Sequence, residues 1–198
     1  MSTVWDMRAK LYDFCEGSDL RRGPAKTRLF QQMIGRSLLV AVGTGIDIRH
    51  LPADRQIVAI DISDEMLRRA EVRRKGYHGT LRFVQADVGR LCFPDACFDT
   101  VITSCTLCSV PDPIRALQEL YRILRPNGRL LMFEHVRSRN PILGFILDLM
   151  TLVTCCSGTA MNRDTLRNAT IAGFRITTIE SVFLDIILSV GAVKAKSA

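Results

Sequence analysis

Ser37-Leu38-Leu39-Val40-Ala41-Val42-Gly43-Thr44-Gly45 runs from an apolar stretch of strand length into a turn carrying two glycines. A second apolar run, Ile57-Val58-Ala59-Ile60, ends on Asp61, and Leu81-Arg82-Phe83-Val84-Gln85-Ala86 ends on Asp87. Short runs of this kind, bounded by turn residues, read as buried strands of a parallel sheet. Ligands of such sheets lie outside the carboxyl ends of the strands, where glycine lets backbone approach and an acid takes ribose hydroxyls. Three strands that each close on a ligand-type residue therefore predict a nucleoside site on an α/β sheet.

Working outward, Ser63 reads as a helix N-cap with Asp64 and Glu65 in the first turn, and Met66, Leu67 and Ala70 face the core. Pro24 opens an earlier helix with an apolar stripe of Leu29, Phe30, Met33 and Ile34. Phe98 to Ser104 reads as a fourth strand. Asp112 then caps a helix with Pro113 at its first position, Pro126-Asn127-Gly128 stops it, and Arg129 to Glu134 gives a fifth strand. The closing runs Gly173 to Ile179 and Ile186 to Val193 are joined too tightly for a parallel crossover, so they pair antiparallel. The expected fold is α/β: a Rossmann-like, seven-stranded, mostly parallel sheet with helices on both faces and an antiparallel last strand.

With 198 residues the chain is expected to form one domain able to bury its own core. It carries no signal-peptide pattern, and its seven cysteines follow no framework, which predicts reduced thiols and a cytoplasmic setting. The net charge of +7 suits acidic lipid headgroups or nucleic acid, but no aromatic-rich basic motif is present, so nucleic acid is not expected. Pro141 to Cys156 is apolar apart from Asp148 and shorter than the ~20 residues of a membrane span. It predicts a buried or interfacial helix.

A dinucleotide fold would place a third small residue where this chain has Ile48, and no phosphate-cradling Gly-Lys-Ser/Thr loop exists. The pattern instead resembles the class I S-adenosylmethionine-dependent methyltransferases between about Arg36 and Glu134. Leu39 to Gly45 looks like their first motif, Ile60 to Leu67 their second and Gln85 to Val88 their third. Phe93 to Val101 resembles the run into their fourth strand, and Leu124 to Leu130 the turn before their fifth. The resemblance implies S-adenosyl-L-methionine as cofactor, with Gly43, Thr44, Gly45 and Val42 against its methionine part. Asp61 would meet the ribose, with Ile62 and Met66 beside it. Asp87 and Val88 would hold the adenine, Ser104 would lie beneath the sulfonium, and Tyr12 would reach the amino-acid end. It divides the chain into an N-terminal helical cap (1–35), a cofactor-binding core (36–135), acceptor-side helices (136–172) and a C-terminal strand pair (173–198). The chain departs from the family at Leu39, where relatives hold an acid, and at Ala41, where they hold a glycine. Either a water and Asp47 neutralise the cofactor's ammonium, or cofactor affinity is weak.

His135 and Glu134, at the end of strand five, are the candidate catalytic pair, His135 as a base because its ordinary pKa is near neutral. No Asn/Asp-Pro-Pro-aromatic motif follows strand four, which disfavours amide or base amines as acceptors. Residues 98 to 135 are closest to methyltransferases of quinone biosynthesis, phospholipid N-methylation and alkyl-thiol methylation. These imply a small-molecule or lipid-like acceptor, peripheral membrane contact, and a monomer or homodimer. Cys105 and Cys108, with Cys155 and Cys156, raise the alternative of thiol or metalloid methylation, although no metal site with committed ligands is expected. Two further readings stay open: a cofactor-binding module without catalysis, and a membrane-surface protein driven by its basic faces.

Overall fold

The computed structural model describes residues 5–6, 22–155 and 158–195. The strands are β1 (Ser37–Val40), β2 (Gln56–Asp61), β3 (Thr80–Gln85), β4 (Phe98–Ser104), β5 (Leu124–His135), β6 (Phe174–Phe183) and β7 (Ile187–Lys194). They form one sheet in the order β3-β2-β1-β4-β5-β7-β6. β1 through β5 run parallel, and β7 is antiparallel to both β5 and β6. The helices are α1 (Gly23–Phe30), α2 (Asp64–Arg74), α3 (Pro113–Ile123), α4 (Pro141–Thr154) and α5 (Thr165–Ile171), with a 3-10 turn at Ile46–His50.

Successive side chains of a strand point to opposite faces, and β1 divides its residues accordingly. Leu38 and Val40 join Val101, Leu130 and Met132 against Leu117 and Leu120 of α3. Leu39 joins Ile102, Leu131 and Phe133 against Leu29 and Phe30 of α1 and Ala70 of α2. Both faces of the sheet are thus covered, as near-continuous apolar strands require. Leu39, 1% exposed, is spent on the second of these cores.

Local signals set the helix starts. Ser63 Oγ accepts the Met66 amide at 3.1 Å, and Asp112 accepts that of Arg115 at 3.0 Å with Pro113 following. Three expectations need correction. β3 is largely exposed rather than buried, because it is the sheet's outer edge. Ile34 is 41% exposed and falls outside the α1 stripe, since the helix ends at Phe30. α3 stops at Ile123, before Pro126; Leu124 already pairs with Phe98, and Asn127 at φ +64° carries a loop that rejoins the ladder at Arg129.

The chain leaves β1 toward β2 on one side and reaches β4 on the other. That reversal opens a crevice at the carboxyl ends of β1 and β4.

Candidate functional site

A cavity of ≈ 470 Å³ fills this crevice, a size that accommodates a small-molecule ligand. Strand ends line it: Ala41 and Gly43 after β1, Asp61 closing β2 with Ile62 beyond, Asp87 and Val88 after β3, Ser104 closing β4 with Cys105 beyond, and His135 closing β5. Met66 of α2 also lines the cavity. Val110, Pro111, Met150, Met161, Trp5 and Arg22 join the lining. Of the residues expected from sequence, Gly43, Asp61, Ile62, Met66, Asp87, Val88, Ser104 and His135 are brought together here. Tyr12 lies outside the described residues.

Asp61 organises the first loop. Its carboxylate accepts the Gly43 amide at 2.8 Å and the Ser63 amide at 2.9 Å, so one side chain ties the β1 and β2 loops together. Burial raises its pKa, opposed by the amides of Ser63 and Gly43. The Ser63 hydroxyl also donates to Asp6. Asp87 is exposed and accepts the Gly89 amide at 2.8 Å.

Three residues of the glycine turn serve it from behind. Val42 and Thr44 are buried away from the cavity, and the Thr44 carbonyl accepts from Arg73 at 2.5 Å. Gly45, at φ +84°, allows α2 to approach: a Cβ there would meet Ile48 Cδ1 at 2.8 Å and the Ala70 backbone at 2.9 Å. Asp47 does not reach the cavity. It is paired with Lys26 at 2.7 Å, both side chains largely buried, so it is already neutralised and the expectation that it would face a ligand's ammonium is corrected.

Ala41 and Cys105 hold left-handed backbone, φ +50° and +51°, at the ends of adjacent strands. Such strain costs of order 1–2 kcal/mol for an L-residue and gathers at functional loops. Ala41→Gly is therefore expected to raise stability by about 0.5–1 kcal/mol, glycine's greater unfolded-state entropy returning part of the relief. Thermal unfolding would read this as a Tm gain of roughly 2 °C; a lower Tm would show that the Ala41 methyl contributes packing that outweighs the strain.

Glu134 and His135 part company. Glu134 is 0% exposed, and its two oxygens accept the amides of Thr106 at 3.1 Å and Leu107 at 3.2 Å. It anchors the loop after β4 and does not line the cavity. Burial pushes its pKa up to about 7, against the pull of its hydrogen bonds and of the Lys26 charge. His135 does line the cavity, but burial, reinforced by the charges of Arg22 and Lys26, pulls its pKa down to about 4. The imidazole is neutral at physiological pH and a weak base, not the near-neutral base expected from an unperturbed histidine. Its Nδ1 and the Ser104 Oγ are buried atoms with no hydrogen-bond partner among the described residues. Orphaned buried polar atoms on two cavity-lining residues fit a site that a ligand completes.

Cys105 and Cys108 both line the cavity, while no group of three or more His, Cys, Asp or Glu able to hold a metal exists among the described residues. Arg163 donates to the Val110 carbonyl at 3.0 Å and lies outside the lining. Trp5, Arg22 and Met161 escaped sequence reasoning; each sits beyond the strand-end motifs, and tertiary packing alone brings it to the cavity.

A family model described as a methyltransferase domain matches residues 38–132. Among curated proteins, the ubiquinone/menaquinone biosynthesis C-methyltransferase UbiE of Ectopseudomonas mendocina is 38% identical over 119 residues, covering 57% of this chain and 46% of that protein. The protein of the same name from Pasteurella multocida is 43% identical over 81 residues, covering 40% and 30%. This chain thus spans less than half the length of these relatives. Among solved structures, the [4+2]-cyclase SpnF superposes with a TM-score of 0.77 at 18% identity, covering 99% of this chain and 95% of that one. A possible histamine N-methyltransferase from Thermotoga maritima gives 0.71 at 19%, covering 98% and 100%. Likeness at that identity shares the fold and leaves the reaction to the site. The strand-end acids, the glycine turn and the matched domain agree: this chain belongs to the class I S-adenosylmethionine-dependent methyltransferases, with S-adenosyl-L-methionine as its cofactor.

Proposed function

We propose that this protein transfers a methyl group to a hydrophobic, lipid-like small molecule of the quinone-precursor type. The observation that carries the reading is one cavity lined both by the strand-end acids Asp61 and Asp87 and by the apolar side chains of Val110, Pro111, Met150 and Met161. The cofactor, when bound, supplies a methyl group already activated on a sulfonium. The chain's own task is then orientation, which can supply ~7–11 kcal/mol of a barrier.

In this reading the Gly43 loop presents backbone to the methionine part of the cofactor, Asp61 takes the ribose hydroxyls, and Asp87 with the Val88 amide takes the adenine. His135, held neutral, lines the cavity and positions the acceptor rather than removing its proton. Glu134 acts from behind by fixing the Thr106–Leu107 backbone. The apolar side chains exclude water and accept a ring and its tail. The quinone-precursor C-methylation named for the curated relatives supports this acceptor class. Phospholipid amines share the same amphipathic shape. The placement of Cys105 and Cys108 in the cavity favours a second reading, in which a thiol or metalloid acceptor is held beside them.

The test is a native lipid and metabolite extract incubated with the enzyme and a trideuteromethyl donor, read by mass spectrometry. The expected result is the trideuteromethyl mass increment on an apolar aromatic or lipid species. Label confined to thiols or metalloids moves the assignment to the second reading. Complete absence of label, with S-adenosylhomocysteine still bound, leaves a binding module and overturns the proposal.

A further inference from the structure

α4 is amphipathic in the wrong sense for a soluble surface. The side it turns to the protein offers Gly144 and Leu147 as its buried residues. The side it turns outward carries Ile142, Phe145, Ile146, Leu149, Leu152 and Val153, each 45–76% exposed. At 100° per residue these six fall within an arc of about 120°. Scattered exposed leucines are ordinary, but a contiguous stripe is the mark of an interaction surface.

The charges around the stripe select its occupant. The lone carboxylate of α4, Asp148, is neutralised by Arg137 at 2.7 Å and accepts from the Asn162 amide at 3.1 Å. Arg139, exposed, stands just before the helix. A chain of net charge +7 repels a second copy of itself and is drawn to an anionic surface. With 14 residues α4 is ~21 Å long, too short to cross a bilayer, and no described helix is long and apolar enough to do so. An apolar stripe with an exposed arginine at its start, on a chain of positive net charge, suits the plane of an anionic membrane interface.

The cavity adjoins this face. Met150 and Thr154, on the flank of α4 between its exposed stripe and its buried side, are both cavity-lining residues. We propose that α4 seats this protein on an anionic bilayer with the stripe immersed, so that an amphipathic acceptor passes from the lipid past Met150 into the cavity without crossing water. The passage rests on the acceptor class proposed above; the seating does not.

Co-sedimentation with vesicles of phosphatidylcholine containing phosphatidylglycerol tests the seating, with pure phosphatidylcholine vesicles alongside. Wild-type protein is expected to partition onto the anionic vesicles, more weakly at high salt. L149E/V153E is expected to lose at least tenfold of that partition while keeping its Tm and its S-adenosylhomocysteine affinity, because both side chains are more than half exposed. Equal partition of the two proteins overturns the seating. So does a wild-type dimer that ignores vesicles and that the double variant dissolves into monomers, since a second copy would then cover the stripe. Cofactor titration by calorimetry is read separately, so a failed seating and a failed methyltransferase reading are told apart.

Discussion

Asp61→Ala is expected to weaken S-adenosylhomocysteine binding by about 100-fold or more, the largest loss of any single change at the site. On the proposed reading the carboxylate meets two ribose hydroxyls, and hydrogen bonds to a charged group contribute ~1.5–3 kcal/mol each. The same carboxylate holds the Gly43 and Ser63 amides, so the loop that faces the methionine part loosens as well. The stability cost is smaller, about 1–2 kcal/mol: two amides lose a partner, but a carboxyl whose ionisation burial opposes is removed with them. Asp61→Asn is expected to behave almost as badly despite its shape, since its amide nitrogen would point a donor at a donor. A ligand lacking the ribose 2′-hydroxyl separates direct contact from loop damage. It should bind wild type more weakly than the parent ligand and bind D61A equally, giving a coupling energy in the cycle. D61A within threefold of wild type would remove Asp61 from the cofactor site altogether.

Much of this was legible because strand periodicity and strand-end chemistry are local. The run to Gly45, with Asp61 and Asp87 each closing an apolar segment, located the switch point before any contact was known. The same locality explains the failures. Leu39 reads as a missing acid, yet alternation in β1 sends it into the α1 core, a fact that depends on which helix covers which face. Asp47 reads as a spare carboxylate until Lys26, 21 residues earlier, is found 2.7 Å away. Glu134 and His135 are neighbours in sequence and read as a pair, but adjacent residues of a strand point to opposite faces, so one anchors a loop from behind while the other lines the cavity. The apolar character of α4 was plain, whereas its outward orientation follows from how little of it the sheet needs.

That division of Glu134 and His135 has a measurable consequence in pH. The Glu134 carboxyl, at about 7 in the fold against an ordinary 4.5, binds its proton more tightly folded than unfolded. Its contribution to stability is therefore fully present below pH 4.5 and is lost as pH rises through 7, a swing on the order of 3 kcal/mol. His135, at about 4 against an ordinary 6.5, works the other way. Its contribution is present above pH 6.5 and is lost as pH falls through 4, by a similar amount. Between pH 4.5 and 6.5 the two slopes oppose, and wild-type stability is expected to change little there on their account. Glu134→Gln removes one slope and leaves the other, so urea unfolding should show this variant losing about 2–3 kcal/mol relative to wild type as pH falls from 7 to 4.5. The glutamine also has one oxygen for two amides, Thr106 and Leu107, which adds a constant cost of about 1 kcal/mol at every pH. His135→Gln should tilt the curve the opposite way, gaining on wild type as pH falls, and the double variant should restore the flat profile. Parallel curves for wild type and E134Q would mean that Glu134 titrates as an ordinary carboxylate, and that the Thr106–Leu107 loop is held by a permanently charged group.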